Sequence, residues 1–290
     1  MSGLVVVGVD GSASSLAAVE AAAQEARWRG AGLRLVHAFL WPAMHVPPGP
    51  LEDGVRKMVE PLVAEAEERA RTVAPEVDVS HAVVTGEPLT VLEAQSRAAE
   101  LMVVGSRGMG GFVALLVGST AMHLAAHGRC PVLVVREQEE GTGPIVLGVD
   151  GSSAGAKAVD FAFAEAALRG ADLVAVHSWT TWNAPLPAPQ DKAMPFANDP
   201  GTLAASEERL LSEALAGHQD KYPGVSVKRK VVHGGTREAL IDASLTAQLL
   251  VVGARGRGGF SGLLLGSVSQ AMLHHAHSPV AVVRGIGGSS

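Results

Sequence analysis

Apolar residues along this chain fall into short continuous runs separated by longer stretches in which they recur every three or four positions. In the first half the runs lie near 4–9, 33–39, 77–84, 101–105 and 131–136, and the helical periodicity near 14–29, 52–73, 88–99 and 118–127. The first helical stretch carries Ala17, Ala18, Ala21, Ala22 and Ala26, small helix formers that allow close packing on a sheet. Short Val/Leu-rich runs alternating with helices predict an α/β fold whose parallel sheet is covered on both faces.

The second half repeats the pattern and much of the sequence. LVVVGVDGSASS at 4–15 matches IVLGVDGSSAG at 145–155, and WRGAGLRLVHAF at 28–39 matches LRGADLVAVHSW at 168–179. HAVVTGEPLTVL at 81–92 matches KVVHGGTREAL at 230–240, and CPVLVVR at 130–136 matches SPVAVVR at 278–284. The offset is 140 residues from Asp10 to Asp150 and 148 from Gly105 to Gly253, so the extra residues belong to the Pro-rich stretch 183–201. A duplicated supersecondary unit of this size predicts two tandem domains. They span 1–137 and 145–290, joined by an acidic Gly/Pro-containing linker at 138–144.

Chemistry concentrates after the fourth run of each half. Residues 105–120 read GSRGMGGFVALLVGST and residues 253–268 read GARGRGGFSGLLLGSV. A strand, a glycine-rich loop and a helix start carrying Ser form a frame for phosphate: glycines admit close approach, and a helix N-terminus offers N–H groups and partial positive charge. Gly105, Ser106, Arg107, Gly108, Met109, Gly110, Gly111, Gly118, Ser119 and Thr120 make up the first candidate loop. Gly253, Ala254, Arg255, Gly256, Arg257, Gly258, Gly259, Gly266, Ser267, Val268 and Ser269 make up the second. Arg107, Arg255 and Arg257 are the candidate charge-assisted donors. No Gly-Lys-Ser/Thr follows, which excludes a Walker A loop, and the dinucleotide fingerprint belongs after the first strand, not the fourth. A plain reading competes: flexible glycines, and Ser acting only as a helix cap.

Open parallel sheets bind ligands beyond the carboxyl ends of their strands, where strand order reverses. Gly8-Val9-Asp10 and Gly148-Val149-Asp150 end the first strand of each half, and His37-Ala38 and His177-Ser178 end the second. A carboxylate there reaches a ribose hydroxyl or a metal on the phosphates, or serves an Asp-Gly-Ser turn by accepting backbone N–H bonds. A phosphoryl-accepting receiver also needs Asp at the end of the third strand, where this chain has Thr85-Gly86 and His233-Gly234. Nothing in the pattern singles out a flavin.

Both glycine loops show Gly, two residues, Gly, nine residues, Gly, then Ser, at 105–119 and 253–267. On these residues, together with Val-Asp-Gly-Ser after the first strand and Pro-Val-Leu/Ala-Val-Val in the fifth, each half resembles the universal stress protein domain. The resemblance implies two tandem Rossmann-like domains, each a five-stranded parallel sheet of order 3-2-1-4-5 with helices on both faces. It implies one ATP per domain, with Mg as an optional companion. Gly8, Asp10 and Ala38 would line the adenosine end of the first site, with Val9 contributing through its backbone; Gly148, Val149, Asp150 and Ser178 would do the same in the second. It also implies pairing through the fifth strand as an intramolecular pseudo-dimer, with a further homodimer open. The first copy departs at Thr120-Ala121, where the second has Val268-Ser269. The expected role is a nucleotide-dependent stress-response sensor or regulator, with slow ATP hydrolysis at the same sites as the alternative, since no catalytic constellation repeats.

Bulk properties narrow the partners. The net charge of −6 argues against a nucleic-acid surface, and Lys228-Arg229-Lys230 reads as the solvated side of an edge strand. No apolar stretch reaches the length of a bilayer span and the N-terminus lacks a basic signal region, so a cytoplasmic location is expected. The single cysteine, Cys130, is matched by Ser278 in the other copy and reads as a packed, inert thiol. His123 and His127, and His274, His275 and His277, lack a third ligand at zinc spacing and read as complements to a helix C-terminus. Trp41, Trp179 and Trp182 border the Pro-rich segments, where packing against the loop is favoured over stacking on a base.

Overall fold

The computed structural model describes residues 3–40, 50–108, 117–136, 141–180, 200–257 and 264–285. The chain divides into two compact units, one of residues 1–139 with 279–284, the other of 140–278 with 285–290.

In the first unit, β1 (Leu4–Gly8), α1 (Ala13–Arg29), β2 (Gly32–Phe39), α2 (Pro50–Val73), β3 (Val79–Thr85), α3 (Pro88–Gln95), β4 (Leu101–Gly105), α4 (Ser119–His127) and β5 (Val132–Val135) follow the expected alternation. The parallel strands lie in the order β3-β2-β1-β4-β5, so β1 and β4 are neighbours at the point where the order reverses. The second unit continues with β6 (Ile145–Gly148), α5 (Ala156–Arg169), β7 (Leu173–Trp179), α6 (Pro200–Ala214), α7 (His218–Lys221), β8 (Val227–His233), α8 (Thr236–Ser244), β9 (Leu249–Gly253) and α9 (Ser267–His275). Its strands β8, β7, β6 and β9 pair in parallel with the reversal between β6 and β9. The last strand, β10 (Val280–Val283), runs antiparallel to β5 and groups with the first unit.

The sequence explains these elements. Val5, Val6, Val7 and Leu101, Met102, Val103 are fully buried, as expected of strands covered on both faces. The Ala stripe of α1 buries Ala18, Ala22, Ala23 and Ala26 completely, letting the helix lie close to the sheet. Ser12 caps α1 by accepting the Ser15 N–H at 3.1 Å, and Ser152 accepts the Gly155 N–H at 3.1 Å ahead of α5. The two helices end on Gly30 and Gly170, at φ +60° and +61°, left-handed positions that favour glycine. In the last turn of each, a buried carboxylate, Glu25 or Glu165, pairs with Arg29 or Arg169.

Helix α3 ends at Gln95 rather than near 99. Ser96 turns its hydroxyl back onto the Glu93 carbonyl at 2.6 Å and accepts the Arg129 N–H, which diverts the chain from helix. Trp179 is buried against Leu203 of α6 with its ring tilted on that of His233. Trp41 and Trp182 lie outside the described residues. Lys228, Arg229 and Lys230 are exposed on β8, at the edge of the second unit's sheet. His123 pairs with Glu93 at 3.0 Å, and among the described residues no group of three His, Cys, Asp or Glu side chains is placed to hold a metal.

Cys130 is buried, and burial pushes its thiol up to about 11. The matching Ser278 hydroxyl is buried with no hydrogen-bond partner. A buried hydroxyl left unpaired costs about 1–3 kcal/mol. Ser278→Ala is therefore expected to raise unfolding stability by about 1 kcal/mol in urea denaturation.

Candidate nucleotide site

Each unit brings the ends of its first and fourth strands together with a helix start. In the first, the Gly118 N–H donates to the Ser106 carbonyl at 2.7 Å; in the second, the Gly266 N–H donates to the Ala254 carbonyl at 2.8 Å. These bonds tie the two ends of each glycine loop. Met109, Gly110, Gly111, Gly258 and Gly259, the expected loop tips, lie outside the described residues.

The helix starts differ from a simple Ser cap. The N-cap residues of α4 and α9 are Gly118 and Gly266, and neither helix has a side-chain cap bond. Ser119 and Ser267 are instead the first helical residues. The first intrahelical bonds are Met122 N–H to Gly118 and Gln270 N–H to Gly266. The N–H groups of Ser119, Thr120 and Ala121, and of Ser267, Val268 and Ser269, therefore leave the helix with no acceptor inside it. They open on the space beyond each helix start, at the positive end of the helix. The Ser269 hydroxyl does not join them. It donates inward to the Gly253 carbonyl at 2.7 Å, so Ser269 offers this space only its N–H.

The strand-end aspartates are bound into the loops. Asp150 Oδ1 accepts from the Ser152 N–H at 2.9 Å and the Ser152 hydroxyl at 2.8 Å, while Oδ2 accepts from the Arg257 N–H at 2.8 Å. Asp10 Oδ1 takes the same two bonds from Ser12, at 3.0 and 2.6 Å. The Asp-Gly-Ser turn is thus formed in both units, with Gly11 at φ +85° and Gly151 at φ +71°. Asp150 thereby straps that turn to the residues of the glycine loop. A Cβ on Gly108 would stand 2.6 Å from Asp10 Oδ2, and one on Gly256 would stand 2.7 Å from Asp150 Oδ2.

Several expected lining residues have other duties. A Cβ on Gly8 would meet Leu92 at 3.0 Å, and one on Gly148 would meet Leu240 at 3.1 Å, so these glycines make room for a helix side chain. The Val9 and Val149 N–H groups donate to the carbonyls of Val36 and Val176, each at 2.9 Å. Their own carbonyls are held by His37 Nδ1 at 2.8 Å and His177 Nδ1 at 2.7 Å. Ser178 donates its hydroxyl to the Gly234 carbonyl at 2.7 Å; Ala38 has no such group.

Arg107 is exposed beside the first loop, and its N–H donates to the Ser14 hydroxyl at 3.3 Å. Arg136, at the end of β5, was not among the expected residues. Burial holds its guanidinium below the usual range, and the nearby charge of Arg107 lowers it further. The repeated Val-Val-Arg ending of the fifth strand, Arg136 and Arg284, was the available signal. In the second unit Gly151, Ser206, Arg209, Leu210, Glu213, Ala214 and Arg257 line a cleft of about 500 Å³ that opens beside the Asp150 turn.

Comparison with known proteins places this geometry. Residues 1–136 and 141–284 each match the model of the universal stress protein family. Universal stress protein Rv2623 of Mycobacterium tuberculosis is 35% identical over 293 residues, covering 97% of this chain and 96% of the relative. Universal stress protein Rv1996 of the same organism is 39% identical over 303 residues, covering 97% and 94%. The crystal structure of a universal stress protein from Archaeoglobus fulgidus superposes with a TM-score of 0.72 at 16% identity, covering 98% of this chain and 99% of that one. That likeness supports the tandem Rossmann-like fold with its 3-2-1-4-5 strand order, and the family match across both repeats shows that the chain belongs to the universal stress protein family.

Proposed function

We propose that this chain is an ATP-binding universal stress protein with one nucleotide site per unit, acting as a nucleotide-dependent sensor or regulator. The carrying observation is the helix start repeated in both units. A glycine caps α4 and α9 without a side-chain bond, leaving three N–H groups over a tied glycine loop. A charge-assisted hydrogen bond contributes about 1.5–3 kcal/mol, so three of them reach the scale of micromolar binding. In the first unit Arg107, with Arg136 close behind it, adds positive charge for the phosphates; in the second Arg255 and Arg257 do so. A Mg ion accompanying ATP would take its ligands largely from phosphate and water.

Hydrolysis needs a group that positions or deprotonates water. The repeated carboxylates, Asp10 and Asp150, are committed to the Ser12 and Ser152 turns, which favours binding over turnover. The test is the nucleotide content of freshly purified protein and titration calorimetry with ATP. Two equivalents per chain are expected. Absence of both co-purified nucleotide and calorimetric binding would sink the reading.

A further inference from the structure

We propose that Arg209 of α6 and Arg257 of the glycine loop form an anion site in the cleft of the second unit, suited to a phosphate group, and that the first unit has no counterpart. The cleft holds about 500 Å³, and both arginines line it together with Gly151, Leu210 and Glu213. Gly151 leaves the room that Arg257 uses: a Cβ there would stand 2.7 Å from Arg257 Nη2 and 2.6 Å from Leu210 Cδ2. The Arg257 guanidinium therefore lies over the Asp-Gly-Ser turn, beside the leucine that follows Arg209 on α6. Its backbone N–H donates to Asp150 Oδ2 at 2.8 Å, which fixes the point from which the side chain starts. Both arginines are exposed, and among the described residues neither guanidinium is in an ion pair.

The two copies share the frame of this cleft and not its charge. In the first unit Gly11 faces Leu62 as Gly151 faces Leu210, which aligns α2 with α6 at an offset of 148 residues. At that offset Glu60, Leu62, Glu65 and Ala66 match Glu208, Leu210, Glu213 and Ala214 without change. The lining residues that differ are the ones that make the second cleft polar and cationic. Ser206, Arg209 and Arg257 stand where the first copy has Met58, Pro61 and Met109. Met58 and Pro61 are exposed on α2, so this helix forms with no cation at the place of Arg209. The arginine pair is an addition to a frame that stands without it.

Two guanidinium groups in one cleft repel each other until an anion lies between them. Glu213, one turn along α6 from Arg209, is the one carboxylate among the lining residues, so the lining keeps a net positive charge. The Ser206 hydroxyl donates to the Leu203 carbonyl at 2.7 Å and is not a free donor. A guanidinium offers its N–H groups as a planar fork that matches two oxygens of a phosphate, and a phosphate group brings about two negative charges near neutral pH. The cleft also lies near the start of α9. A Cβ on Gly266 would stand 3.5 Å from Arg255 Cα, and the two residues from Arg255 to Arg257 span at most about 7 Å. The phosphate therefore has two sources: the outermost group of a nucleotide seated at α9, which rests on the nucleotide reading, or a free phosphate ion, which does not.

The test is titration calorimetry of the full chain with ATP, AMP and inorganic phosphate, in wild type, Arg209→Gln and Arg257→Met. Arg257→Met copies the first unit and leaves the backbone N–H to Asp150 in place. Both variants change exposed side chains, and urea unfolding at wild-type stability shows that they fold. Each variant is expected to weaken ATP at one of two equivalents by about tenfold, the loss of one charge-assisted contact. Arg209→Gln is expected to leave AMP unchanged, because its single phosphate stays at the start of α9. A free ion as the source gives a different result that also supports the site: wild type binds one equivalent of inorganic phosphate beside saturating ATP, and both variants lose it. Equal affinities for ATP and for phosphate in all three proteins would overturn the anion site, and two bound nucleotides in that case would leave the nucleotide reading standing. Phosphate bound by wild type and lost in the variants, with no nucleotide bound by any of the three, would remove the nucleotide reading and keep the anion site.

Discussion

Gly256→Ala is expected to weaken nucleotide binding at the second site by at least about 100-fold, the equivalent of losing one or two charge-assisted hydrogen bonds. Gly108→Ala is expected to do the same at the first. The cause is space and not backbone conformation, since neither glycine is among those with positive φ. The new methyl carbon would stand 2.7 Å from Asp150 Oδ2, inside the contact distance that real side chains keep. Asp150 has nowhere to retreat, because its other oxygen is held by both the N–H and the hydroxyl of Ser152. Either the carboxylate leaves its turn or the loop lifts away, and both break the strap to the Arg257 N–H. Calorimetric titration against ATP reads the loss, and the site in the other unit serves as control.

Gly266→Ala separates two explanations of that result. A Cβ there would meet the Ala254 carbonyl at 3.4 Å, ordinary contact that the protein tolerates. Unfolding stability should stay close to wild type, yet phosphate approaching the α9 N-terminus would meet the methyl. Lost affinity with unchanged stability supports a phosphate site. Unchanged affinity would mean that the glycine pattern serves the loop alone.

Much of this was legible from the chain, for physical reasons. Repetition is visible in any sequence, and the Val-rich strands and Ala-rich α1 carry their periodicity in their own residues. Gly30 and Gly170 close α1 and α5 in left-handed backbone, which few other residues accept at low cost. The parts that were not legible depend on tertiary partners. At Gly8 the space that a side chain would take is filled by Leu92 from α3, a neighbour that local sequence does not name. Ser119 looked like a cap and is one residue inside the helix, a shift that local sequence does not resolve. Ser269 and Ala121 occupy matching places, and only the structure shows the serine hydroxyl turned inward. The His177–Glu207 pair, 2.6 Å apart, left no trace in the repeat, because the residue that matches Glu207 at the 148-residue offset is Val59. For β10, four apolar residues identify a strand but not its neighbour.

Gly105→Ala is expected to destabilise the first unit by about 2–3 kcal/mol, whereas Gly253→Ala should cost the second less than about 1 kcal/mol. The two glycines hold the same place in the motif, so a purely functional role predicts equal effects. The structure predicts unequal ones. A Cβ on Gly105 would lie 2.6 Å from both the carbonyl oxygen and the hydroxyl of Ser14, in the first turn of α1. Ser14 is buried at 1% exposure, and its hydroxyl also accepts the Arg107 N–H, so the clash falls on packed backbone with no room to yield. In the second unit the residue matching Ser14 is Ala154, and the nearest atom to a Cβ on Gly253 is the Arg255 carbonyl oxygen at 3.2 Å. That oxygen belongs to a loop and needs to move only a few tenths of an ångström. Urea unfolding of the two variants, followed by hydrogen exchange to assign the loss to a unit, decides between the accounts. Equal losses would mean that these glycines are kept for a shared ligand, and a loss confined to Gly105→Ala would mean that α1 of the first unit is seated directly on its glycine loop.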